Sequence, residues 1–438
     1  MIGNHAPQPL LISSLLTHAE RHHGEQQVVS RRVEGDTHRC TYRDLARRAR
    51  SLAAALGALG IGIADRVATL AWNGHRHLEL AYAVSGSGAV LHALSPRMGT
   101  DQLAWTARHA KDRILFFDVS FLPIVEVLAA KATTITAFVA LTDREHMPIA
   151  SAGLQNLLCY EDLIDGHGGS RFDWPVFDEN SASSLCYTLA PGGVPKGVLY
   201  SHRSTLLQAY AAAQPDAFGC SAADTLLPVV PMSQGNAWGL PYVACMVGAK
   251  LALPGPWLDG DSLLRLVEAE GVTVSAAAPH VWQAVLSHAQ SRSLGFGRLR
   301  RMIIDGALCP PAEGDTALPQ RHEVQVLHAW GTTDTHALGA VCALKPGQMA
   351  LGADRQLAVQ PRQGRPAFGV EMKIVGDDGR ELPHDGVSRG RLLMRGPWVA
   401  AGYYQGEEEA AGGPNVEGWF PTDELATIGP DGLLHIGS

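Results

Sequence analysis

The sequence predicts an α/β protein: a body of alternating strands and helices reaching to about residue 360, then a small antiparallel β unit. Three observations carry this. Short apolar runs of strand length recur between helical stretches, which indicates a largely parallel sheet covered on both faces. After about Gln360 the pattern changes to strict alternation with tight turns. The 438 residues show no internal repeat or low-complexity linker and suffice for two to three compact units.

The first clear helix starts at Thr41. Leu45, Ala49, Leu52, Leu56 and Leu59 recur every three or four positions, Thr41 with Asp44 forms a capping pair, and Gly57 and Gly60 end the run. Strands are predicted at 66–72, 114–117, 137–141, 249–253 and 272–275. In the last part Val370, Met372 and Ile374 alternate with Glu371 and Lys373. Gly376-Asp377-Asp378-Gly379 then turns the chain toward a second strand at 391–394.

Composition narrows the function. The chain is 46% hydrophobic and carries 35 Lys and Arg against 43 Asp and Glu, a formal charge of −8. This balance gives no footprint for nucleic acid or an anionic surface. No run is long and apolar enough for a membrane span, and residues 1–20 lack the features of a signal peptide, so a cytoplasmic protein is expected. The seven cysteines are widely spaced with no CxxC pair and read as buried small hydrophobes. The nineteen histidines show no metal-ligand spacing, and His75 and His77 would not share a helix face. Cys309 with His328 could be drawn as a nucleophile and base, but Cys309 simply follows an apolar strand at 302–304.

Four stretches hold the candidate chemistry. The first is Tyr187-Thr188-Leu189-Ala190-Pro191-Gly192-Gly193-Val194-Pro195-Lys196-Gly197, a Gly-rich loop with one Lys that leaves an apolar strand. Such a loop can wrap N–H groups and a cation around phosphate, although by itself it also reads as an ordinary turn. The second is Pro231-Met232-Ser233-Gln234-Gly235-Asn236-Ala237-Trp238-Gly239 and the third His328-Ala329-Trp330-Gly331-Thr332-Thr333-Asp334. In each, a Trp beside glycine and polar side chains suits a pocket for a flat ring or an acyl chain, or a core Trp beside a turn. The fourth, Gly418-Trp419-Phe420-Pro421-Thr422-Asp423-Glu424, sets adjacent carboxylates after an aromatic pair.

In content and order these stretches resemble the adenylate-forming superfamily, and within it the medium-chain fatty acyl-CoA ligases. Further matching pieces, such as Gly197-Val198-Leu199-Tyr200-Ser201-His202 and Gly402-Tyr403-Tyr404, extend the similarity over nearly the whole chain. The resemblance implies two stacked and intertwined α/β sub-domains, roughly 1–190 and 191–360, with mostly parallel sheets, plus a small distorted β-barrel over 361–438. It also implies the parent reaction: a carboxylate attacks the α-phosphate of ATP, pyrophosphate leaves, and coenzyme A captures the acyl-adenylate.

The same resemblance assigns candidate residues. Gln234, Asp334 and Lys196 take the catalytic positions. Thr188, Gly193, Lys196, Gly306, Ala307, Trp330, Gly331, Thr333, Asp423 and Glu424 take the ATP or AMP positions. Asn236, Trp238, Ala277, Pro279 and Gly306 take the acyl pocket, and Asp334 the magnesium position.

Departures from the family pattern are concentrated in these motifs. The phosphate loop reads Tyr-Thr-Ser-Gly-Thr-Thr-Gly-x-Pro-Lys-Gly in the family. Here Leu189, Pro191 and Gly192 stand at three hydroxyl positions, Ala190 replaces a glycine, and Pro191 has no N–H. Hydrogen bonds to charged groups contribute about 1.5–3 kcal/mol each, so losing two or three weakens phosphate binding by roughly a hundredfold or more. Ser233 and Gln234 replace Phe and His, Asp334 replaces a Glu, and Asp305-Gly306-Ala307 replaces Gly-Gly-Ala. Glu424 falls at the ribose-binding Asp without a gap, whereas a one-residue shift gives that place to Asp423. Either alignment brings acidic charge toward a polyphosphate.

The chain ends at the family's hinge, with Ser438 at an Arg position, so the small C-terminal domain and its adenylation lysine are expected to be absent. The favoured expectation is a ligase-like protein in which ATP-dependent adenylation is weakened or lost, with an acyl or acyl-CoA pocket retained and doubtful ATP and magnesium binding. The alternatives are a working medium-chain ligase represented by its N-terminal domain, and a non-catalytic module whose hinge end meets a separate protein. A further option is acid-base work by Asp305, Asp334, His336, Asp423 and Glu424 around a vacated nucleotide site.

Overall fold

A computed structural model describes residues 8–149, 153–154, 156–169, 171–188, 193–305, 324–350, 363–405 and 418–436. Helix α1 (Ile12–His22) leads into a hairpin of β1 (Gln27–Arg31) and β2 (Thr37–Thr41). Helix α2 (Tyr42–Ala58) begins at the expected capping box: Asp44 N donates to Thr41 Oγ1 (3.2 Å) and Thr41 N to the Asp44 carboxylate (3.1 Å). The chain then alternates through β3 (Arg66–Leu70), α3 (His75–Gly86), β4 (Val90–Ala93), α4 (Thr100–Ala110), β5 (Ile114–Phe117), α5 (Leu122–Lys131), β6 (Ala137–Ala140), β7 (Leu157–Cys159), α6 (Tyr160–Gly166), β8 (Ala182–Tyr187), β9 (Gly197–Ser201) and α7 (His202–Ala213).

Strands β10 (Thr225–Pro228), β11 (Lys250–Leu253), β12 (Val274–Ala277), β13 (Arg301–Asp305), β14 (Gln325–Trp330), β15 (Ala340–Val341) and β16 (Arg365–Pro366) follow, with helices Leu240–Val247, Gly260–Glu270 and Pro279–Arg292 between them. Four antiparallel strands complete the chain: β17 (Glu371–Val375), β18 (Gly390–Arg395), β19 (Phe420–Ile428) and β20 (Leu434–Ile436).

Two large sheets organise the body. One runs β7-β6-β5-β3-β4-β8-β9 and is parallel except for the last pair. The other runs β16-β15-β14-β13-β12-β10-β11-β1-β2 and is parallel from β14 to β1. Helices α1, α2, α3, α7 and Leu240–Val247 fill the space between the sheets with the main apolar core. Outer helices cover the far faces, α4 and α5 on the first sheet and Gly260–Glu270 with Pro279–Arg292 on the second. Burial on both faces explains why the strands read as continuous apolar runs.

Pairing redraws the expected boundaries. The first hairpin belongs to the second sheet, and β9 to the first, so no cut at residue 190 separates the two units. β16 pairs with β15 of the body while Gly364 just before it bridges Leu434 of β20, so this segment joins the two units and the antiparallel sheet itself starts at Glu371. That unit is a sheet of order β17-β18-β19-β20, and its outer strands do not pair with each other among the described residues, so no closed barrel is seen there. The strand expected at 272–275 lies later because Gly271 (φ +63°) and the Val272 N–H bond to Val267 O still cap the preceding helix. Among the described residues no helix is long and apolar enough to cross a membrane.

Candidate nucleotide and acyl site

Both sheets direct the carboxyl ends of their strands at one cavity of about 940 Å³. In open α/β sheets ligands bind at those ends, where the strand order reverses. Here β10 has β11 on one side and β12 on the other, and β3 lies between β4 and β5. Arg97 comes from beyond β4, Thr188 from β8, Ser233 and Gln234 from beyond β10, Ala278 from β12, Asp305 from β13 and 331–334 from β14. Tyr403 and residues 422–424 of the C-terminal part close the opposite side.

The Gly-rich loop has a defined neck. Thr188 N donates to Lys196 O (2.9 Å), and Lys196 N donates to the Thr188 hydroxyl (3.0 Å). Lys196 is exposed, with Nζ 4.8 Å from the centroid of the Tyr403 ring, an arrangement that holds the ammonium over an aromatic face. Residues 189–192, where the hydroxyl positions are replaced, lie outside the described residues.

Asp334 sits on a single 3-10 turn, Thr333–Thr335. Its Oδ2 accepts from Thr332 Oγ1 (3.2 Å), its main-chain O accepts from Ala400 N (2.7 Å), and its Oδ1 is buried with no hydrogen-bond partner among the described residues. Burial raises the carboxyl's pKa, while the nearby hydroxyls of Tyr403 and Thr332 and the charge of Lys196 oppose that rise. A carboxylate oxygen without a partner is a ligand for a hard cation. Magnesium needs only one or two carboxylates when phosphates and water complete its shell. No cluster of three or more His, Cys, Asp or Glu fit for a metal occurs among the described residues. Asp334 therefore fits a magnesium shared with a nucleotide, rather than an all-protein cage.

The ambiguity at 423/424 has a structural cause. β19 pairs with β18 at Pro421 opposite Leu393 and at Leu425 opposite Arg391, so 422–424 bulge against Leu392 alone. Thr422 Oγ1 donates to Leu392 O (2.9 Å), and the bulge brings both Asp423 and Glu424 to the cavity.

Of the other expected residues, Gly193, Gly331, Thr333, Gln234 and Trp238 also line the cavity. Asn236 does not. It is 1% exposed, and its Nδ2 bridges Ser184 Oγ (3.0 Å) and His336 Nε2 (3.3 Å) behind the wall. Ala277 faces the core beside Trp282, and its neighbour Ala278 faces the cavity. Pro279 opens its helix at the first position, off the wall. Trp330 is packed against Gly339 in the core. Gly306, Ala307 and Cys309 lie outside the described residues.

Sequence reasoning missed Arg97, an isolated Arg in a loop with no motif to mark it, and the wall residues Ala278 and Ala337. It also missed the support beneath the wall. Gly235 to Gly239 all have positive φ (50, 53, 54, 56 and 77°), a left-handed turn that packs on a second one at His336 and Ala337. His336 stacks on Tyr200 with centroids 3.7 Å apart, and the Tyr200 hydroxyl donates to Thr333 O (2.7 Å). Burial pushes the His336 imidazole down to about 3, so it is a neutral brace and not an acid-base group near neutral pH.

The two sheets thus bring the neck of the Gly-rich loop, four carboxyl groups and the aromatic rings of Tyr187, Trp238 and Tyr403 to one cavity. The model of the AMP-binding enzyme family matches residues 15–404, and the chain belongs to that family. It is 44% identical to a 3-methylmercaptopropionyl-CoA ligase of Ruegeria lacuscaerulensis, covering 100% of this chain and 80% of the relative. It is also 44% identical to a medium-chain-fatty-acid–CoA ligase of Ectopseudomonas oleovorans, with 100% and 79% covered. Among solved structures, the anthranilate CoA ligase AuaEII in complex with anthranoyl-AMP superposes with a TM-score of 0.84 at 18% identity, covering 100% of this chain and 79% of that one. At that identity the likeness concerns the fold alone.

Proposed function

We propose that this chain is an acyl-CoA ligase-like protein that keeps a carboxylic acid or acyl-CoA site while its nucleotide half supports ATP-dependent adenylation poorly. The observation that carries the reading is the charge on the cavity wall. Asp305, Asp334, Asp423 and Glu424 face it, against Arg97 and Lys196 as the cations among the described lining residues. A triphosphate entering there meets a net acidic wall, and by sequence residues 189–192 supply no hydroxyl to offset it. The names of two relatives, a 3-methylmercaptopropionyl-CoA ligase and a medium-chain-fatty-acid–CoA ligase, support a short- to medium-chain carboxylic acid as the substrate in this reading.

In this reading Lys196 and Arg97 hold anionic groups, Asp423 or Glu424 accepts from ribose hydroxyls, and the wall at Trp238, Ala278 and Ala337 excludes water from the acyl chain. Magnesium, when bound at Asp334 Oδ1, would neutralise phosphate charge. The test is calorimetry with ATP, AMP, a medium-chain fatty acid and its coenzyme A thioester, together with pyrophosphate release. Binding of the acid or thioester with weak ATP binding is expected. Pyrophosphate release at about 1 s⁻¹ or faster, ordinary for an enzyme, would overturn the proposal.

One observation favours a second reading, a working medium-chain fatty acid–CoA ligase. Asp334 Oδ1, without a hydrogen-bond partner among the described residues and under the charge of Lys196, supports a magnesium nucleotide there. The same assay separates the two.

A further inference from the structure

Ser233 lines the cavity and is 7% exposed, yet its hydroxyl is buried without a hydrogen-bond partner among the described residues. Burying a hydroxyl in that state is unfavourable, and buried polar groups are nearly always paired. Trp238, Ala278 and Ala337 supply apolar groups to the same wall.

The segment is also held in place. On one side the Asn73 amide donates to Pro228 O (2.8 Å) and Val230 O (2.7 Å) and accepts from Met232 N (2.9 Å). On the other, the left-handed turn Gly235–Trp238 is pinned by Asn236 to Ser184 and His336. The bonds on both sides therefore hold the backbone that carries Ser233. Gln234, the next residue on the wall, adds an amide with both donor and acceptor atoms. In the family pattern this pair is Phe and His, so an apolar ring is replaced here by a hydroxyl and a titratable ring by a neutral amide.

We infer that the substrate is a carboxylic acid bearing a hydrogen-bonding oxygen, a hydroxyl or carbonyl, on its chain, which Ser233 and Gln234 read against the unsubstituted acid. This rests on the reading of the cavity as an acyl site and names the substrate class for it. An unsubstituted chain leaves the Ser233 hydroxyl unpaired when the site closes over it, whereas a substituted chain supplies the partner.

The test measures affinity by calorimetry on the full chain, alone and with AMP. The probes are hexanoate and a set of hexanoates hydroxylated singly at each carbon from the third to the sixth, with the wild-type protein and Ser233→Ala. At least one hydroxylated acid is expected to bind the wild type about tenfold or more tightly than hexanoate. Ser233→Ala should bring the two within about threefold while hexanoate affinity holds or improves. Equal binding of hexanoate and every hydroxylated acid by the wild type overturns the inference, as does a preference that survives in Ser233→Ala. If no acid binds under either condition, the acyl-site reading itself fails and the inference with it.

Discussion

Asp118 and Asp334 are two of the buried carboxyl groups that make stability depend on pH. Asp118 accepts from Trp72 N (2.7 Å), and burial pushes it up to about 7 against that bond and the charge of Arg76. A carboxyl raised above its ordinary value contributes stability that is complete below about pH 4 and is lost as pH rises through the folded value. Asp118→Asn, which keeps an acceptor for Trp72, should therefore stabilise the protein by about 1–3 kcal/mol at pH 8 and by much less at pH 4–5, read from urea melts at the two values. Asp334 is raised in the same direction by burial. Asp334→Asn should raise the melting temperature at neutral pH, with the gain shrinking toward acid pH, and should weaken any magnesium-dependent binding of nucleotide. The capping pair Thr41 and Asp44 was fully legible in the sequence because it depends on four consecutive residues. Asp118 was not, since its pKa comes from the strand it packs behind.

At the scale of elements, α2 and α3 are tied by a buried ion network. Arg48 Nε donates to Glu79 Oε1 (2.6 Å) and Arg48 Nη1 to Glu161 Oε2 (3.0 Å), with Glu79 entirely buried and also accepting from the Tyr160 hydroxyl (2.5 Å). Arg48→Met strands the Glu79 charge and should cost about 3–5 kcal/mol by urea denaturation, far more than a surface ion pair would. The cavity wall depends on two facing turns. A Cβ at Gly331 would lie 2.4 Å from the Ala337 carbonyl carbon, a main-chain atom that cannot yield. Gly331→Ala should cost about 1–3 kcal/mol and lower affinity for the acyl ligand. Gly57→Ala on α2, where the added carbon meets nothing within 4 Å, should be neutral or mildly stabilising. These turns were illegible in the sequence. Asn236, Ala237 and Trp238 are ordinary right-handed residues by propensity, and only packing against 336–337 and the bonds of Asn236 hold them left-handed, at about 1–2 kcal/mol each. The one-residue displacement from Ala277 to Ala278 has a similar origin, because successive strand residues face opposite sides and the strand's end point decides which reaches the cavity.

For the whole molecule, the decisive arrangement is the meeting of two sheets' carboxyl edges under a cover from the C-terminal part. The acidic lining is a property of that assembly, since Asp305, Asp334 and the Asp423-Glu424 pair come from three places in the chain. Of Asp423→Asn and Glu424→Gln made singly, the one that leaves the ribose acceptor in place should raise ATP affinity about threefold at low salt and less at high salt, and the other should lower it, measured by calorimetry at two ionic strengths.

The sequence by itself determined the alternation of strands and helices, the change to an antiparallel unit, the family, and the identity of the groups that replace its motif residues. These are local patterns of period and type, and they survive without knowledge of neighbours. Only the tertiary structure decided that the first hairpin joins the second sheet, that the bulge in β19 delivers both acids, that Asn236 braces the wall rather than forming it, and that Ser233 is buried without a partner among the described residues. Each of these depends on pairing between segments far apart in sequence, where the deciding energies are burial and hydrogen bonding across sheets and turns rather than the preferences of any one stretch.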